Sequence, residues 1–206
     1  MKKPVAERRA EILDTTCAVV RERGFGATRV QDVAKRMGVS TGLIHYHFEN
    51  KDHLLAEAFA HAARLDIERF PEALGQPTSL GALAHAIALY APEGGDSSWP
   101  MWIDAWGEAQ RNERLRKISQ ELDLAWTSLL EQVIERGVEV GEFVCADPHA
   151  TAWRLAAVLD GLAIEAVVHE QNVARSELVS WATHLAAAEL QIDAEPLRRR
   201  VRAARR

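Results

Sequence analysis

The sequence predicts an all-α protein, and three observations lead to that fold class. The 206 residues include 34 Ala and 21 Leu, which cost little free energy in a helix, but only 12 Gly and 7 Pro. Apolar residues recur at intervals of three and four through most of the chain. Capping residues and glycines stand where these stretches begin and end. We therefore expect about nine helices, in domains spanning residues 1–50 and 51–197, followed by a disordered basic tail at 198–206.

The first predicted helix covers residues 6–23. Ile12, Leu13, Cys17 and Val20 recur on one face, and Gly24 stands where a helix ends. Cys17 and Cys145 are too few for a disulfide framework and lack the spacing of a metal or redox motif. We interpret both as ordinary packed or surface thiols.

Two short helices follow in the sequence. Thr28 and Gln31 have the spacing of a capping box, in which side chains satisfy the free N–H groups at a helix start, so a helix is predicted at 29–37. After a turn that contains glycine, Ser40 is placed to cap a third helix at 41–48. Two short helices joined by such a turn are typical of a helix-turn-helix.

A longer helix is predicted from Lys51, capped by Asn50. Asp147 followed by Pro148 is a strong start signal for a later helix, since proline suits the first helical position. That helix is apolar nearly all round between Trp153 and Val168, which indicates burial on every side. The helices predicted beyond Asn50 span 51–73, 79–91, 98–110, 113–140, 148–170 and 173–192.

The segment from Thr28 to Leu55, TRVQDVAKRMGVSTGLIHYHFENKDHLL, resembles the DNA-binding domain of TetR-family transcriptional regulators. It has the family's spacing of helix cap, Ala-x-x-x-Gly-Val-Ser turn, aromatic recognition helix, Phe and Lys. The resemblance implies a three-helix helix-turn-helix domain at 1–50 that binds a palindromic double-stranded DNA operator as a homodimer, with repression as the direction of regulation.

The residue types around the third helix agree with that implication. A helix that enters the major groove presents short polar side chains and backbone at its N-terminal end, and a glycine there permits close approach. His45 and His47 are an unfavourable metal site, because residues two apart point about 200° apart on a helix; no metal is expected. The candidate DNA-binding residues are Thr28, Arg29, Ser40, Thr41, Gly42, His45, Tyr46, His47 and Lys51.

A second resemblance covers the chain from Trp102 to about His169. This part is similar to the BetI-like class of TetR C-terminal domains, notably at 111–115, in the Gly141-Glu-Phe run and at 159–162. The resemblance implies that residues 51–197 form a helical ligand-binding and dimerisation domain whose small-molecule effector releases DNA.

The effector hypothesis rests on tryptophan. Trp99, Trp102 and Trp106 share one helical face, whereas Asp104 and Glu108 fall on the opposite side, where we expect them to face water. Such a stripe can pack in a core, or it can line a pocket for a cationic or aromatic ligand, because indole faces attract cations. Asp160 is a possible counter-charge, because an acid in so apolar a helix needs a partner or a shifted pKa; a structural acid at a dimer interface is the alternative. The candidate ligand-binding residues are Trp102, Trp106, Trp126, Trp153 and Asp160.

The last two predicted helices of the larger domain are candidates for a dimer interface. Both have apolar faces, and they could form half of a four-helix bundle across a twofold axis. Alternatively, they fill the core of one protomer. The candidate interface residues are Ala156, Leu159, Ala163, Val167, Leu178, Trp181 and Leu185.

Sequence motifs of catalysis are absent, so we do not expect an enzyme and expect no cofactor. The chain lacks nucleophile-elbow, phosphate-loop and zinc-protease patterns, and its eight histidines have no ligand spacing. Two alternatives stay open: a helical regulator or adaptor without a small-molecule ligand, and a helical enzyme with no recognisable motif. The charged N-terminus and the lack of a long apolar stretch predict a cytoplasmic protein with no membrane partner.

The net charge of −5 conceals a segregation of charge along the chain. Residues 1–53 carry 10 basic and 7 acidic side chains, and residues 54–197 carry 9 basic and 23 acidic ones. The six arginines of residues 198–206 are interpreted as a solvated end, with binding to nucleic acid as the alternative. Because the field that matters for binding is local, the acidic total does not exclude a DNA partner.

Overall fold

A computed structural model describes residues 4–91, 98–169 and 174–204. These residues form eleven helices and no strand, so the predicted all-α class is confirmed. The helices are α1 (Val5–Arg23), α2 (Val30–Met37), α3 (Thr41–His47), α4 (Lys51–Ile67), α5 (Phe70–Leu74), α6 (Ser79–Tyr90), α7 (Trp99–Ala109), α8 (Glu113–Glu139), α9 (Pro148–Val168), α10 (Arg175–Glu189) and α11 (Ala194–Ala204).

Three predicted helix caps are confirmed by their hydrogen bonds. The Ser40 hydroxyl accepts from the N–H of Leu43 at 3.4 Å, at the start of α3. The Asn50 side chain accepts from His53 N–H at 2.8 Å. The Asp147 carboxylate accepts from the N–H of Ala150 at 2.9 Å before Pro148 opens α9. In each case an acceptor side chain satisfies a backbone donor that has no partner within the helix.

The predicted capping box at Thr28 is wrong. Helix α2 begins one residue later than expected, and the N–H of Arg29 donates to the Asp32 carboxylate at 3.1 Å. The hydroxyl of Thr28 instead donates to the carbonyl of Gly24 at 2.7 Å. Thr28 therefore stabilises the turn that precedes the helix.

Two helices exceed the expected nine. The helix predicted at 51–73 divides into α4 and α5, and Pro71 stands in the first turn of α5. Proline lacks an N–H and restricts the residue before it, so it is tolerated in a first turn and not within a continuous helix. The other additional helix is α11.

The described residues divide into two compact units. The N-terminal unit contains residues 4–66 and 100–122, and the C-terminal unit contains 67–91, 98–99, 123–169 and 174–204. The division differs from the expected boundary at residue 50. Leu54, Leu55 and Phe59 of α4 are buried, which accounts for the compactness of α4 with α1–α3.

Helix α11 corrects the expectation of a disordered tail. Leu197 and Val201 have no exposed surface and belong to the apolar core of the C-terminal unit. Because residues four apart lie on one face of a helix, folding buries both side chains together and leaves the arginines between them on the outside. Residues 205 and 206 of the predicted tail lie outside the described residues.

An arginine fixes the connection between α5 and α6 within the C-terminal unit. The Arg136 guanidinium of α8 donates to the carbonyl oxygens of Leu74 at 2.9 Å and Thr78 at 3.1 Å. Leu74 ends α5, where a carbonyl group lacks an intrahelical partner, so a charged donor satisfies it well.

No helix in the described part of the chain combines the length and the hydropathy that crossing a bilayer requires.

The placement of α11 predicts that Leu197→Ala lowers the free energy of unfolding by about 3 kcal/mol, because the substitution leaves a cavity in a closed core. Arg199→Ala, on the exposed side of the same helix, is the matched control and should change it by less than about 0.5 kcal/mol. Urea unfolding at fixed protein concentration measures both. If Leu197→Ala were as silent as the control, α11 would not be part of the core.

Candidate nucleic-acid interface and effector site

Helices α2 and α3 are joined by a tight turn. Gly38 adopts a left-handed conformation with φ of 67°, which ends α2, and Ser40 then caps α3. Val33 and Ala34 of α2 and Ile44 of α3 are buried, so the inner faces of the two helices belong to the core of the N-terminal unit. The outer face of α3 is consequently fixed in direction.

The outer face of α3 is polar and accessible. Tyr46 is 74% exposed, which is the highest exposed fraction of any large hydrophobic side chain among the described residues. The ring of His47 lies edge-on to it, with the ring centroids 5.0 Å apart. The other exposed predicted residues on this side are Ser40, Thr41, Gly42 and His45. We call the outer face formed by Ser40, Thr41, Gly42, His45, Tyr46 and His47 the α3 surface.

Gly42 is not required by the packing of the protein itself. A Cβ atom at this position would meet only the Ser40 hydroxyl, at an ordinary contact distance of 3.7 Å. Glycine within a helix costs about 0.5–1 kcal/mol relative to alanine. An exposed glycine that packing does not need is typical of a place where another molecule approaches the backbone closely.

Two predicted DNA-binding residues contact the turn between α1 and α2. Thr28 is 1% exposed, so its side chain is part of the interior and does not belong to an outer contact surface, which corrects the earlier interpretation. The Lys51 ammonium donates to the carbonyl of Gly26 at 3.0 Å. Arg29 is exposed beside them, without an ion pair in the described part of the chain.

Several basic side chains of the N-terminal unit are already paired. Arg36 binds Glu22 at 2.5 Å, and Arg9 binds Glu57 at 3.1 Å. The guanidinium of Arg36, as hydrogen-bond donor, lowers the pKa of the Glu22 carboxyl. Of the basic residues near α2, Lys35 is exposed and has no ion pair among the described residues.

The five predicted ligand-binding residues are divided between the two units. Trp102 and Trp106 belong to the N-terminal unit, where the Trp102 ring lies 4.9 Å from that of Phe59. Trp153 is 43% exposed on α9, and its place in a ligand pocket stays a prediction. Trp126 and Asp160 lie in the C-terminal unit.

Asp104 also departs from expectation. We expected it to face water, but its carboxylate accepts a hydrogen bond from the N–H of Phe25 at 2.6 Å. Helical periodicity placed Asp104 opposite the tryptophans, and that side of α7 faces the turn after α1. The only sequence features of this contact are an acid on α7 and a distant Gly-Phe-Gly turn. No local pattern in the sequence indicates that the two meet.

The rings of Phe70, Tyr90, Trp99 and Trp126 pack together in the C-terminal unit, and we call them the aromatic cluster. The Trp126 ring lies 4.8 Å from Phe70 and 4.6 Å from Tyr90, and Tyr90 lies 5.0 Å from Trp99. The indole N–H of Trp99 donates to the Tyr90 carbonyl. The indole nitrogen of Trp126 is buried and has no hydrogen-bond partner among the described residues. Sequence reasoning missed Phe70 and Tyr90, because neither belongs to the tryptophan stripe.

A small cavity adjoins the aromatic cluster at Tyr90. Its volume is about 20 Å³, and its lining is apolar, with Leu159, Leu162 and Val179 among the contributors. Such a volume holds about one water molecule.

Asp160 is the one described acid with a buried, unpartnered oxygen. Its Oδ1 atom has no hydrogen-bond partner in the described residues. Burial, which penalises the charged form, raises the pKa of this carboxyl to about 7. A carboxyl group with such a pKa is partly ionised near neutral pH. A nearby cation would stabilise its charged form, which burial disfavours.

Most of the predicted dimer residues are in the core of their own protomer. Ala156, Leu159, Ala163 and Leu178 are at most 8% exposed, so for these four the single-protomer alternative is the correct one. Val167 and Leu185 are half-buried. Trp181 is 49% exposed, and on α9 Trp153 and Val158 are exposed beside the buried face. Sequence periodicity could not tell which face of α9 the protomer itself covers.

The described residues contain no group of three His, Cys, Asp or Glu side chains arranged to hold a metal ion.

Two family models match the chain. Residues 81–191 match that of the BetI-type transcriptional repressor C-terminal domain. Residues 12–58 match that of bacterial regulatory proteins of the tetR family.

Relatives in sequence and structure agree with these models. The HTH-type transcriptional regulator BetI of Paraburkholderia xenovorans is 28% identical over 163 residues, covering 75% of this chain and 79% of the relative. A transcriptional regulator from Saccharomonospora viridis, solved in complex with choline, superposes with a TM-score of 0.80 at 26% identity, covering 87% and 95% of the two chains. A TetR-family regulator from Rhodococcus sp. superposes with a TM-score of 0.75 at 26% identity, covering 89% and 97%.

The raised pKa of Asp160 predicts a dependence of stability on pH. An aspartate has an ordinary pKa of 3.8, whereas the folded protein holds this proton until about pH 7. Because the folded state holds this proton more tightly than the unfolded state does, protonation of Asp160 adds to the free energy of unfolding. This contribution is fully present below about pH 4 and is lost as the pH rises through 7. Asp160→Asn keeps the shape without the charge, so its stability gain over the parent should grow by about 2 kcal/mol between about pH 5 and pH 8.

Urea unfolding at the two pH values measures this gain. Asp52→Asn, at an exposed aspartate of α4, is the matched control and should show no such growth. Equal gains for Asp160→Asn at both pH values would contradict the burial of a charge at this position.

Proposed function

The chain belongs to the TetR family of bacterial regulatory proteins and has a BetI-type C-terminal domain, and on this premise we propose that it is a repressor released from its operator by a small cation. The α3 surface is the observation that carries the DNA-binding part of the proposal. It combines exposed polar side chains, an exposed tyrosine and a glycine that packing does not require. These features suit a recognition helix in the major groove, where side chains read base edges and the backbone lies close to phosphate.

Within this proposal, Thr41, His45 and Tyr46 contact bases or the sugar-phosphate backbone, and Arg29 and Lys35 contact phosphates. The ammonium of Lys51 carries three donors, of which one binds Gly26, so it can also face a phosphate. The acidic total charge does not oppose this role, because residues 1–53 carry three more basic than acidic side chains.

We also propose that the operator-binding form is a homodimer through the exposed faces of α9 and α10. Trp153 and Val158 of α9 and Trp181 of α10 are large apolar side chains that water contacts in the single chain, and such patches are typical of protein interfaces. A dimer supplies two recognition helices, which a palindromic operator accommodates about 34–36 Å apart in successive major grooves.

For the effector, the aromatic cluster and Asp160 support a quaternary ammonium ion such as choline. Aromatic faces attract such cations, and the unpartnered indole N–H of Trp126 can donate to the hydroxyl oxygen of choline. A structural relative at 26% identity was solved with choline. Because the cavity beside the aromatic cluster holds about one water, the ligand would have to bind an opened conformation and shift the population toward it.

Tyr46→Ala tests the α3 surface. We expect at least a tenfold loss of affinity for a DNA fragment from upstream of the protein's own gene, because the side chain contacts DNA and not the core. Fluorescence anisotropy at about 150 mM salt measures the affinity, with unrelated DNA for comparison.

Lys117→Ala, at an exposed residue of α8 in the same unit, is the control and should bind DNA nearly as the parent does. Sedimentation of the same samples shows whether each variant keeps the dimer. Unchanged affinity of Tyr46→Ala would contradict the site, and a parent protein that is monomeric while bound to its operator would contradict the dimer.

Trp126→Phe tests the effector site. Choline should change the tryptophan fluorescence of the parent protein, and it should release the parent protein from the same DNA fragment. The variant should bind choline at least fivefold more weakly, because it lacks the indole N–H and presents a weaker aromatic face. Trp106→Phe makes the same change in the N-terminal unit, outside the aromatic cluster and the proposed dimer interface, and serves as the matched control. Equal affinity of the two variants, or no response of the parent to choline, would contradict this site.

A further inference from the structure

The turn of Gly24, Phe25 and Gly26, between α1 and α2, is bound by two side chains that are distant in sequence. The N–H of Phe25 donates to the Asp104 carboxylate of α7 at 2.6 Å. The carbonyl of Gly26 accepts from Lys51 of α4 at 3.0 Å. All of these residues belong to the N-terminal unit.

Steric details show how closely α7 approaches this turn. Gly24 has a φ of 80°, and a Cβ atom there would lie 3.1 Å from Asp104 Oδ2. At Gly26 a Cβ atom would lie 3.6 Å from Glu108 Oε2. A charged acceptor on a backbone donor is among the stronger hydrogen bonds, so Asp104 restrains the direction of the peptide it binds.

Aromatic rings also connect the turn with α7. Phe25 has no exposed surface, and its ring meets that of Phe59 edge-on at 6.1 Å. The Phe59 ring in turn meets Trp102 of α7 at 4.9 Å. Hence α7 contacts the turn through a hydrogen bond and, by way of Phe59, through apolar packing.

The turn leads directly into the DNA-binding helices. Thr28, two residues after Gly26, donates its hydroxyl back to the carbonyl of Gly24 at 2.7 Å, and α2 begins at Val30. The direction in which the chain enters α2 therefore follows from the conformation of the turn, and α3 packs on α2.

We infer that Asp104 is a positioning residue for operator binding: its carboxylate holds the turn before α2 and so keeps the α3 surface in the orientation that fits DNA. This inference rests on the proposed DNA-binding function. Asp104 lies within the stretch that matches the BetI-type C-terminal model, residues 81–191, yet it is compact with the DNA-binding helices. Helix α7, which lies within the BetI-type match, thus binds the α1–α2 turn directly through Asp104.

Removal of the Asp104 side chain should change DNA affinity in opposite directions under two explanations: positioning of the turn, and repulsion of phosphate by its negative charge. If Asp104 acted only by its negative charge, its removal would reduce repulsion of phosphate and leave operator affinity equal or higher. If it positions the turn, its removal lowers the affinity. Glu113→Gln, at an exposed acid of α8 in the same unit, measures the effect of charge alone.

The experiment compares the full-length parent with Asp104→Ala, Asp104→Asn and Glu113→Gln on the DNA fragment from upstream of the protein's own gene. We expect at least a tenfold loss for Asp104→Ala and a smaller loss for Asp104→Asn, whose amide oxygen can accept the same N–H. Glu113→Gln should bind as the parent or more tightly. The dependence of affinity on salt should stay the same in all four proteins, because no phosphate contact is removed.

Amide hydrogen exchange of the peptide that contains residues 24–26 provides a readout that does not depend on DNA. Faster exchange in Asp104→Ala than in the parent is expected, and equal exchange would overturn the hydrogen bond. Faster exchange with parental DNA affinity would overturn the positioning role alone. A parent that binds no DNA would overturn the proposed function, and the positioning role with it. Should Asp104→Ala fail to fold, the result expected is that Asp104→Asn still binds DNA more weakly than Glu113→Gln.

Discussion

The burial of three phenylalanine rings fixes the position of α3. Phe48 directly follows α3, Phe25 lies in the turn between α1 and α2, and Phe59 belongs to α4; each is at most 1% exposed. Because protein interiors are close-packed, the end of α3 and the entry to α2 cannot move independently of these rings. The polar outer surface of the helix is therefore held by apolar contacts on its inner side. Tyr46, two residues before Phe48, points outward for the same reason.

Much of the fold could be predicted from the sequence, because its signals are local. Apolar periodicity located most of the helices, and Ser40, Asn50 and Asp147 marked helix starts by a hydrogen bond within three residues. The tail was misjudged because six arginines dominate its composition. Val201 is the one large apolar residue of the tail, and its helical partner Leu197 stands just before it. What these two side chains bury against is set by distant parts of the chain.

The candidate sites could be predicted only where the chemistry is contained in one segment. The α3 surface is such a segment, and most of its residues are exposed as expected. The proposed effector site draws on several helices. The tryptophans of the predicted stripe are divided between two units, with Trp99 in the C-terminal unit and Trp102 and Trp106 in the N-terminal unit. Thr28 and Asp104 show the same limit: each has its decisive partner in a turn whose geometry no periodicity reveals.

Helix α11 also changes the electrostatics of the part of the protein on which it folds. Residues 67–99 and 123–197, which belong to the C-terminal unit, carry 17 acidic and 4 basic side chains, and α11 adds Arg198, Arg199, Arg200 and Arg202 while its apolar side packs in the C-terminal core. Like charges on a compact body repel one another and oppose folding. The arginines act as counter-ions that the chain supplies for itself, which reduces this self-repulsion at low ionic strength, where dissolved salt screens least. The segregation of charge along the sequence is thus partly cancelled by folding.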